Sequence, residues 1–102
     1  MLNPFTPFGD CSLVRMANLY ANVAQVGTPG GMADCLAMVT TRSARLLNLK
    51  DYGITEGNPA DLVVLDADTP ANAVAELAPP LFGLKGGQRT FTRPAPTIHD
   101  PR

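Results

Sequence analysis

Histidine is almost absent from this chain: His99, in a proline-containing stretch near the C-terminus, is the single example among 102 residues. A catalytic zinc or iron site draws about three protein ligands from histidine, cysteine and carboxylate side chains, and the sequence shows no cluster of them. A lone histidine in such a tail is typical of a solvated residue. The sequence therefore predicts neither a self-contained metal site nor a catalytic residue.

Cysteine is also scarce, with Cys11 and Cys35 and no CxxC pattern. Both lie in segments with helical periodicity, which favours two buried thiols over a disulfide or a zinc site. A helix start can activate a thiol, but no histidine accompanies Cys11 to act as its base. We expect both cysteines to fill space in a protein of the reducing cytoplasm.

Long apolar runs and an excess of one charge are missing as well. Eight basic and nine acidic residues leave a net charge of -1, which disfavours a nucleic-acid partner. No segment reaches the roughly 18 apolar residues of a membrane span, and the first ten residues lack the charged start of a signal peptide. Hydrophobic residues nevertheless make up 45% of the chain and predict a globular protein without a membrane partner.

Helical periodicity dominates the first half. Asp10 is a candidate cap for a first helix that ends at Gly27-Thr28-Pro29, and a second helical segment follows Gly30-Gly31 with a break at Thr40-Thr41. The first helix has a face of large and a face of small apolar residues, so we expect it to be covered on more than one side. The large face holds Leu13, Met16, Tyr20 and Val23, the small face Val14, Ala17, Ala21 and Ala24, and the second segment Met32, Cys35, Leu36 and Val39.

The period changes after Asp61. Residues 62–65 form a short continuous apolar run that predicts a buried strand. Thr69-Pro70 is typical of a helix start, and a short helix is expected over 71–78. Gly86-Gly87 between the runs 81–85 and 88–91 predicts a β-hairpin.

Three features near these elements are candidate sites. Asp66 and Asp68 form a close carboxylate pair, but their position favours turn and capping roles. Gly30-Gly31 lacks the pattern of a phosphate-binding loop. Phe5 and Phe8 lie in a proline-rich loop, where they either face a pocket or another part of a larger protein, or pack under the first helix.

The stretch from Thr40 to Asp66 resembles the C-terminal signature of the amidohydrolase superfamily. The residues that carry the resemblance are TTRSARLLNL at 40–49, YGI at 52–54, EGN at 56–58 and ADLVVLD at 60–66, and KGG at 85–87 matches a late hairpin of the family. Within the superfamily, residues 2–9 and 43–54 are most similar to cytosine deaminases and related metal-dependent deaminases.

The resemblance implies an α+β fragment, made of the last helices of a (β/α)8 barrel and part of a small β-subdomain with a strand and a β-hairpin. Residues 1–50 would be the C-terminal barrel loop and helices, 51–93 the partial β-subdomain with a short helix, and 94–102 an extended tail. A complete barrel takes about 250 residues, more than this chain provides.

The implied function is that of a C-terminal fragment of a metal-dependent amidohydrolase, which hydrolyses a C–N bond of a cyclic amidine or pyrimidine-type substrate. In this family water activated by a divalent metal, zinc or iron, attacks the ring carbon that bears the amino group. The residues that bind the metal and move protons lie upstream of the segment that begins here with Met1, so we expect the chain alone to be inactive. Phe5 resembles an aromatic residue that lines the substrate pocket, and it is the one candidate substrate-binding residue.

The expected partners are the missing N-terminal barrel portion or a homo-oligomer, with a pyrimidine-like small molecule in the full enzyme. The alternative is a small non-catalytic binding or structural module, or a subunit, derived from the same fold. A fragment would expose the apolar faces that meet the rest of the protein, whereas an evolved module would cover them.

Overall fold

The computed structural model describes residues 8–101, which form helices and an antiparallel sheet, in agreement with the expected α+β class. No helix in this range is long and apolar enough to cross a membrane. The helices are α1 (Leu13–Val23), α2 (Pro29–Met38), α3 (Thr41–Leu46) and α4 (Pro70–Ala75), and the strands are β1 (Leu62–Leu65), β2 (Pro80–Lys85) and β3 (Gln88–Thr92).

Hydroxyl side chains fix the starts of three helices. Ser12, Thr28 and Thr69 each accept a hydrogen bond from the backbone N–H three residues later, which satisfies a donor that the helix leaves free. Pro29 and Pro70 stand at the first positions of α2 and α4, where a missing N–H costs nothing. The prediction from Thr69-Pro70 is confirmed, whereas α2 begins ahead of the glycine pair that was expected to precede it.

The prediction that Asp10 caps α1 is wrong, because Ser12 takes that role. The Asp10 carboxylate instead accepts the Ser12 N–H at 3.0 Å and pairs with the Arg15 guanidinium, with 3.0 Å between Oδ2 and Nη2. The hydrogen bond from Arg15, followed by that from Ser12, lowers the pKa of Asp10. Asp10 therefore orients the residue that caps the helix.

Helices α1, α3 and α4 end in the same closure, in which a non-glycine residue adopts a left-handed backbone. These residues are Gln25, Asn48 and Leu77, with φ of 55°, 55° and 50°. The following N–H then donates to a carbonyl five residues back, as in a Schellman motif. The bonds are Val26 to Ala21 at 2.8 Å, Leu49 to Ala44 at 2.9 Å and Ala78 to Ala73 at 3.0 Å.

These closures correct two expected boundaries. Helix α1 ends at Val23 and not at residues 27–29, and α4 ends at Ala75 and not at residue 78. The break at Thr40-Thr41 is confirmed, since Thr40 has a non-helical backbone between α2 and α3.

The core lies between α1, α2 and α4 and is built from small side chains. Ala17, Ala21, Cys35 and Val74 form its buried cluster. Asn18 Nδ2 donates to the Val74 carbonyl at 2.8 Å and ties α1 to α4. Partly buried residues that pack against the cluster are Val26, Met32, Leu36 and Val39.

The outward face of α1 differs from the expectation. Ala17 and Ala21 of the small-residue face point into the core, whereas Ala24 is exposed. The large-residue face is exposed, from 48% at Met16 to 77% at Val23. Within residues 8–101 the helix is therefore covered on one side only, and the expected cover on more than one side is wrong. Small side chains on the inner face allow α2 and α4 to approach closely, which explains why the alanines face inward.

The two cysteines have different environments. Cys35 is buried in the core, as expected, with 1% of its surface exposed. Cys11 is exposed and precedes α1, so its predicted burial within a helix is wrong.

The sheet has the order β1-β2-β3, with both strand pairs antiparallel. Gly86 and Gly87 have φ of 58° and 80°, as a two-residue hairpin turn requires, and the predicted hairpin is confirmed. Strand β1 is also confirmed, but Val63 is 59% exposed, so the expectation of a buried strand is wrong. Gly83 lies beside the Phe91 ring and leaves no room for a side chain, because a Cβ added there would be 2.5 Å from the ring.

Asp61 fastens the hairpin turn to the start of β1. Its Oδ2 is 2.8 Å from Lys85 Nζ, and its Oδ1 accepts the Gly86 N–H at 2.8 Å. Next to it, the Gly87 N–H donates to the Ala60 carbonyl at 3.1 Å. The hydrogen bond from Lys85, then that from Gly86, lowers the pKa of the Asp61 carboxyl.

The helices pack on one another and the strands on one another, but no helix packs extensively on a strand within residues 8–101. The solvent-accessible surface is 8197 Å², whereas a folded protein of this mass exposes about 5,500 Å². The radius of gyration is 15.6 Å, compared with about 13 Å for a compact domain of this length. The tail from 94 to 101 is exposed and without helix or strand, as expected. Large apolar side chains are among the exposed residues, for example Leu46 at 84% and Ile54 at 91%.

The first test concerns the small core. We expect Val74→Ala to lower the free energy of unfolding by about 2 kcal/mol, because it opens a cavity where three helices meet. Val23→Ala is the matched control: this side chain is 77% exposed, and its removal should change stability by less than about 0.5 kcal/mol. Urea unfolding followed by circular dichroism measures both. Equal effects of the two variants would contradict the assignment of the core.

The second test concerns pH. Because folding lowers the pKa of Asp61, its contribution is present above the ordinary aspartate pKa of about 3.9 and is lost as the pH falls below it. We expect Asp61→Asn to be less stable than the wild type at pH 7, with the difference shrinking below a pH of about 4.

Asp34→Asn controls for net charge in this comparison, because Asp34 forms an exposed ion pair with Arg42 at 3.3 Å, and such pairs contribute little. Thermal unfolding at a series of pH values measures all three proteins. If Asp61→Asn followed the Asp34→Asn curve throughout, the hairpin would not depend on Asp61.

Candidate functional site

An apolar cleft lies between the helices and the sheet, with a volume of about 820 Å³. One wall is the start of α1 and the end of α2, the second is β1 with Phe91 of β3, and the loop before β1 closes one side. The lining residues are Ser12, Leu13, Val14, Leu36, Val39, Thr40, Thr41, Tyr52, Gly53, Ile54, Asp61, Leu62, Val63, Leu65, Ala78, Pro80 and Phe91.

Three polar side chains on the cleft wall are already engaged in local hydrogen bonds. Ser12 Oγ caps α1 by accepting a hydrogen bond from the Arg15 N–H. Thr40 Oγ1 donates to a carbonyl of α2 at 2.8 Å, and Asp61 accepts the Gly86 N–H of the hairpin turn. Small-molecule pockets orient their ligands with a few convergent polar groups. Apart from the hydroxyls of Thr41 and Tyr52, the rest of the wall is apolar or backbone, so the cleft is better suited to an apolar protein surface than to a polar ligand.

Several large apolar residues that line the cleft are mostly exposed to solvent. Ile54 is 91% exposed, Leu13 60% and Val63 59%. Exposed apolar surface that is contiguous across several elements marks an interaction site, whereas single exposed residues are ordinary. The cleft gathers such residues from α1, the loop before β1 and β1 itself.

No group of three or more histidine, cysteine, aspartate or glutamate side chains that could hold a metal ion occurs among the described residues. His99 lies in the exposed tail, Cys35 is enclosed in the core and Cys11 is exposed. Asp66 and Asp68 lie in the turn between β1 and α4, in agreement with their interpretation as turn residues, but the cap of α4 is Thr69 and not either aspartate. These residues do not fit the divalent metal that the resemblance implies, and no catalytic step can be assigned to them.

The predicted substrate-binding residue, Phe5, lies outside the described residues, and its role stays a prediction. Phe8 is described and is 93% exposed, so it does not pack under α1. Gly30-Gly31 lies inside the first turn of α2, where Thr28 already accepts the Gly31 N–H.

The cleft itself was not predicted. The sequence patterns identify Leu13, Val39 and Val63 as apolar residues, but they do not show that helices and sheet stay apart. Ile54 offers the clearest signal in retrospect: a β-branched residue between Gly53 and Thr55, in a loop, has no strand or helix of its own to pack within.

Comparison with known proteins supports the resemblance. A family model described as the amidohydrolase family matches residues 1–96. The N-isopropylammelide isopropyl amidohydrolase of Pseudomonas sp. (strain ADP) is 33% identical over 85 residues, which cover 82% of this chain and 21% of that protein.

Two solved structures show the same arrangement of elements. The 5-methylcytosine deaminase from Klebsiella pneumoniae, liganded with phosphonocytosine, superposes with a TM-score of 0.88 and 30% identity over 98% of this chain and 25% of that one. The N-isopropylammelide isopropylaminohydrolase from Burkholderia multivorans gives a TM-score of 0.80 and 27% identity over 87% of this chain and 23% of that one. The chain thus spans about a quarter or less of the length of these relatives. The match to the family model over nearly the whole sequence shows that the chain belongs to the amidohydrolase family.

Proposed function

We propose that this chain forms the C-terminal part of a metal-dependent, cytosine-deaminase-like amidohydrolase, which hydrolyses a C–N bond of a cyclic amidine or pyrimidine-type substrate. The observation that carries the proposal is the similarity to 5-methylcytosine deaminase, at 30% identity and a TM-score of 0.88 over 98% of the chain. In this proposal residues 1–50 are barrel loop and helices, 51–93 belong to the β-subdomain and 94–102 form the tail.

The chemistry of such an enzyme requires groups that the described residues lack. Hydrolysis at an amino-bearing ring carbon needs an activated water and a group that moves protons. The described residues contain no metal-ligand cluster, and their single histidine lies in the tail. We therefore assign the metal, zinc or iron, and the proton-transferring groups to the remainder of the amidohydrolase body, in the cytoplasm.

The role left for this chain is to complete the body of the enzyme and to contribute Phe5 to the substrate pocket. The exposed surface supports this role over that of a stand-alone binding module. A module that had evolved to act alone would cover its large apolar side chains. Here Leu13, Val23 and Ile54 are each at least 60% exposed.

A graft tests this proposal. The matching quarter of the Klebsiella 5-methylcytosine deaminase is replaced by all 102 residues of this chain, and ammonia release from 5-methylcytosine and cytosine is measured with zinc or iron. We expect the graft to retain activity within about 100-fold of the parent, the loss that an imperfectly positioned site produces. The deaminase without its matching quarter, and this chain alone, should release none.

Phe5→Ala in the graft then tests the substrate-binding role of Phe5. Loss of a ring that stacks on the substrate should raise KM by about tenfold, and Phe8→Ala, in the same loop, is the control. A graft that folds and binds metal like the parent but has no activity would refute the proposed function. Ammonia release by the isolated chain would refute the assignment of the catalytic groups to other parts of the body.

A further inference from the structure

We propose that an apolar part of the remaining amidohydrolase body fills the cleft between the helices and the sheet, and that this one contact fixes the sheet against the helices. The inference rests on the proposed function. It adds which surface of this chain is covered, and what the cover does for the fold.

The first observation is the lack of packing between the two layers. Helices α1, α2 and α4 share a core, and β1, β2 and β3 share backbone hydrogen bonds, yet no helix packs extensively on a strand among residues 8–101. A small sheet gains stability from a hydrophobic face or from packing against a helix. Among the described residues no helix supplies that packing, and the face that includes Val63 is left largely open.

The second observation is that both layers turn apolar residues toward the same space. Leu13 and Val39 line the cleft from the helices, and Val63 and Phe91 line it from the sheet. Val63 and Phe91 both lie opposite Gly83 in the sheet register, which places them on one face of the sheet. A single inserted segment would touch both layers at once.

The third observation identifies the occupant. The chain spans 25% of the 5-methylcytosine deaminase chain that it matches, so three quarters of such a body lies outside it. On the two walls of the cleft Leu13 and Val63 are 60% and 59% exposed, as expected for a face that meets a larger body. A small polar ligand fits less well, since Ser12, Thr40 and Asp61 on the wall are engaged in local hydrogen bonds.

The cleft offers a matched pair of variants for the test. Ile54 lines the cleft and Ile98 lies in the tail, and both are 91% exposed in the isolated chain. Ile98 also lies beyond the residues that match the family model. Aspartate at either position should leave the isolated chain unchanged, because neither side chain has a packed environment to lose.

In the graft described above, the two variants should differ. Ile54→Asp places a charge in a filled apolar cleft, so we expect the melting temperature to fall by about 5 °C or more and activity to fall by at least about tenfold. Ile98→Asp should change the activity of the graft by less than about twofold and its melting temperature by less than about 2 °C. Circular dichroism of the isolated chains verifies that both variants fold alike.

The outcomes separate the two proposals. A graft that is folded but inactive before any substitution contradicts the proposed function. An active graft in which Ile54→Asp and Ile98→Asp behave alike overturns the inference about the cleft and leaves the proposed function standing. Self-association of the isolated chain that Ile54→Asp abolishes and Ile98→Asp preserves would overturn it in favour of a second copy as occupant.

Discussion

Close packing of α1, α2 and α4 around Val74 is the interaction on which the rest of the described structure depends. Val74 and Cys35 are its two largest fully buried side chains, and the rest of the buried cluster is alanine. Small side chains let the helices approach closely, but they remove little apolar surface from water, at about 25 cal/mol per Å². A core of this kind orients the helices and leaves the large apolar residues outside.

The orientation of α1 follows from this constraint and connects the fold to the family. With Ala17 and Ala21 inward, Leu13 and Val23 must face away from the core. The sheet is held by its own hydrogen bonds and by the Asp61 contacts to its hairpin turn, and it presents Val63 to the cleft that Leu13 also lines. A chain that spans a quarter of its structural relatives would present such surfaces to the remaining three quarters.

Much of the secondary structure could be predicted from the sequence, and the errors have physical causes. Gly86-Gly87 and Thr69-Pro70 were reliable because their backbone requirements are strict. The ends of α1 and α4 were missed because Gln25 and Leu77 adopt a left-handed backbone that glycine usually provides, so no glycine marks the closure. The cover of α1 was overestimated, because periodicity identifies two apolar stripes and does not show that only one of them meets a neighbour. The cleft could not be predicted at all, since it depends on how far the helices stand from the sheet, a distance that no local pattern encodes.

The family, in contrast, was identified from the ordered motifs between Thr40 and Asp66. The order and spacing of such motifs are characteristic of a whole fold, whereas local propensities describe single elements.

Hydrogen–deuterium exchange of the intact, isolated chain shows whether the helices share a core that the sheet lacks. We predict that amides in the middle of α1 and α2 exchange slowly, whereas those of β1, β2 and β3 exchange faster by at least about tenfold, because only the helices share a buried core. Equal protection of helices and sheet in the monomeric chain would contradict it, since the sheet would then have a packing surface within these 102 residues.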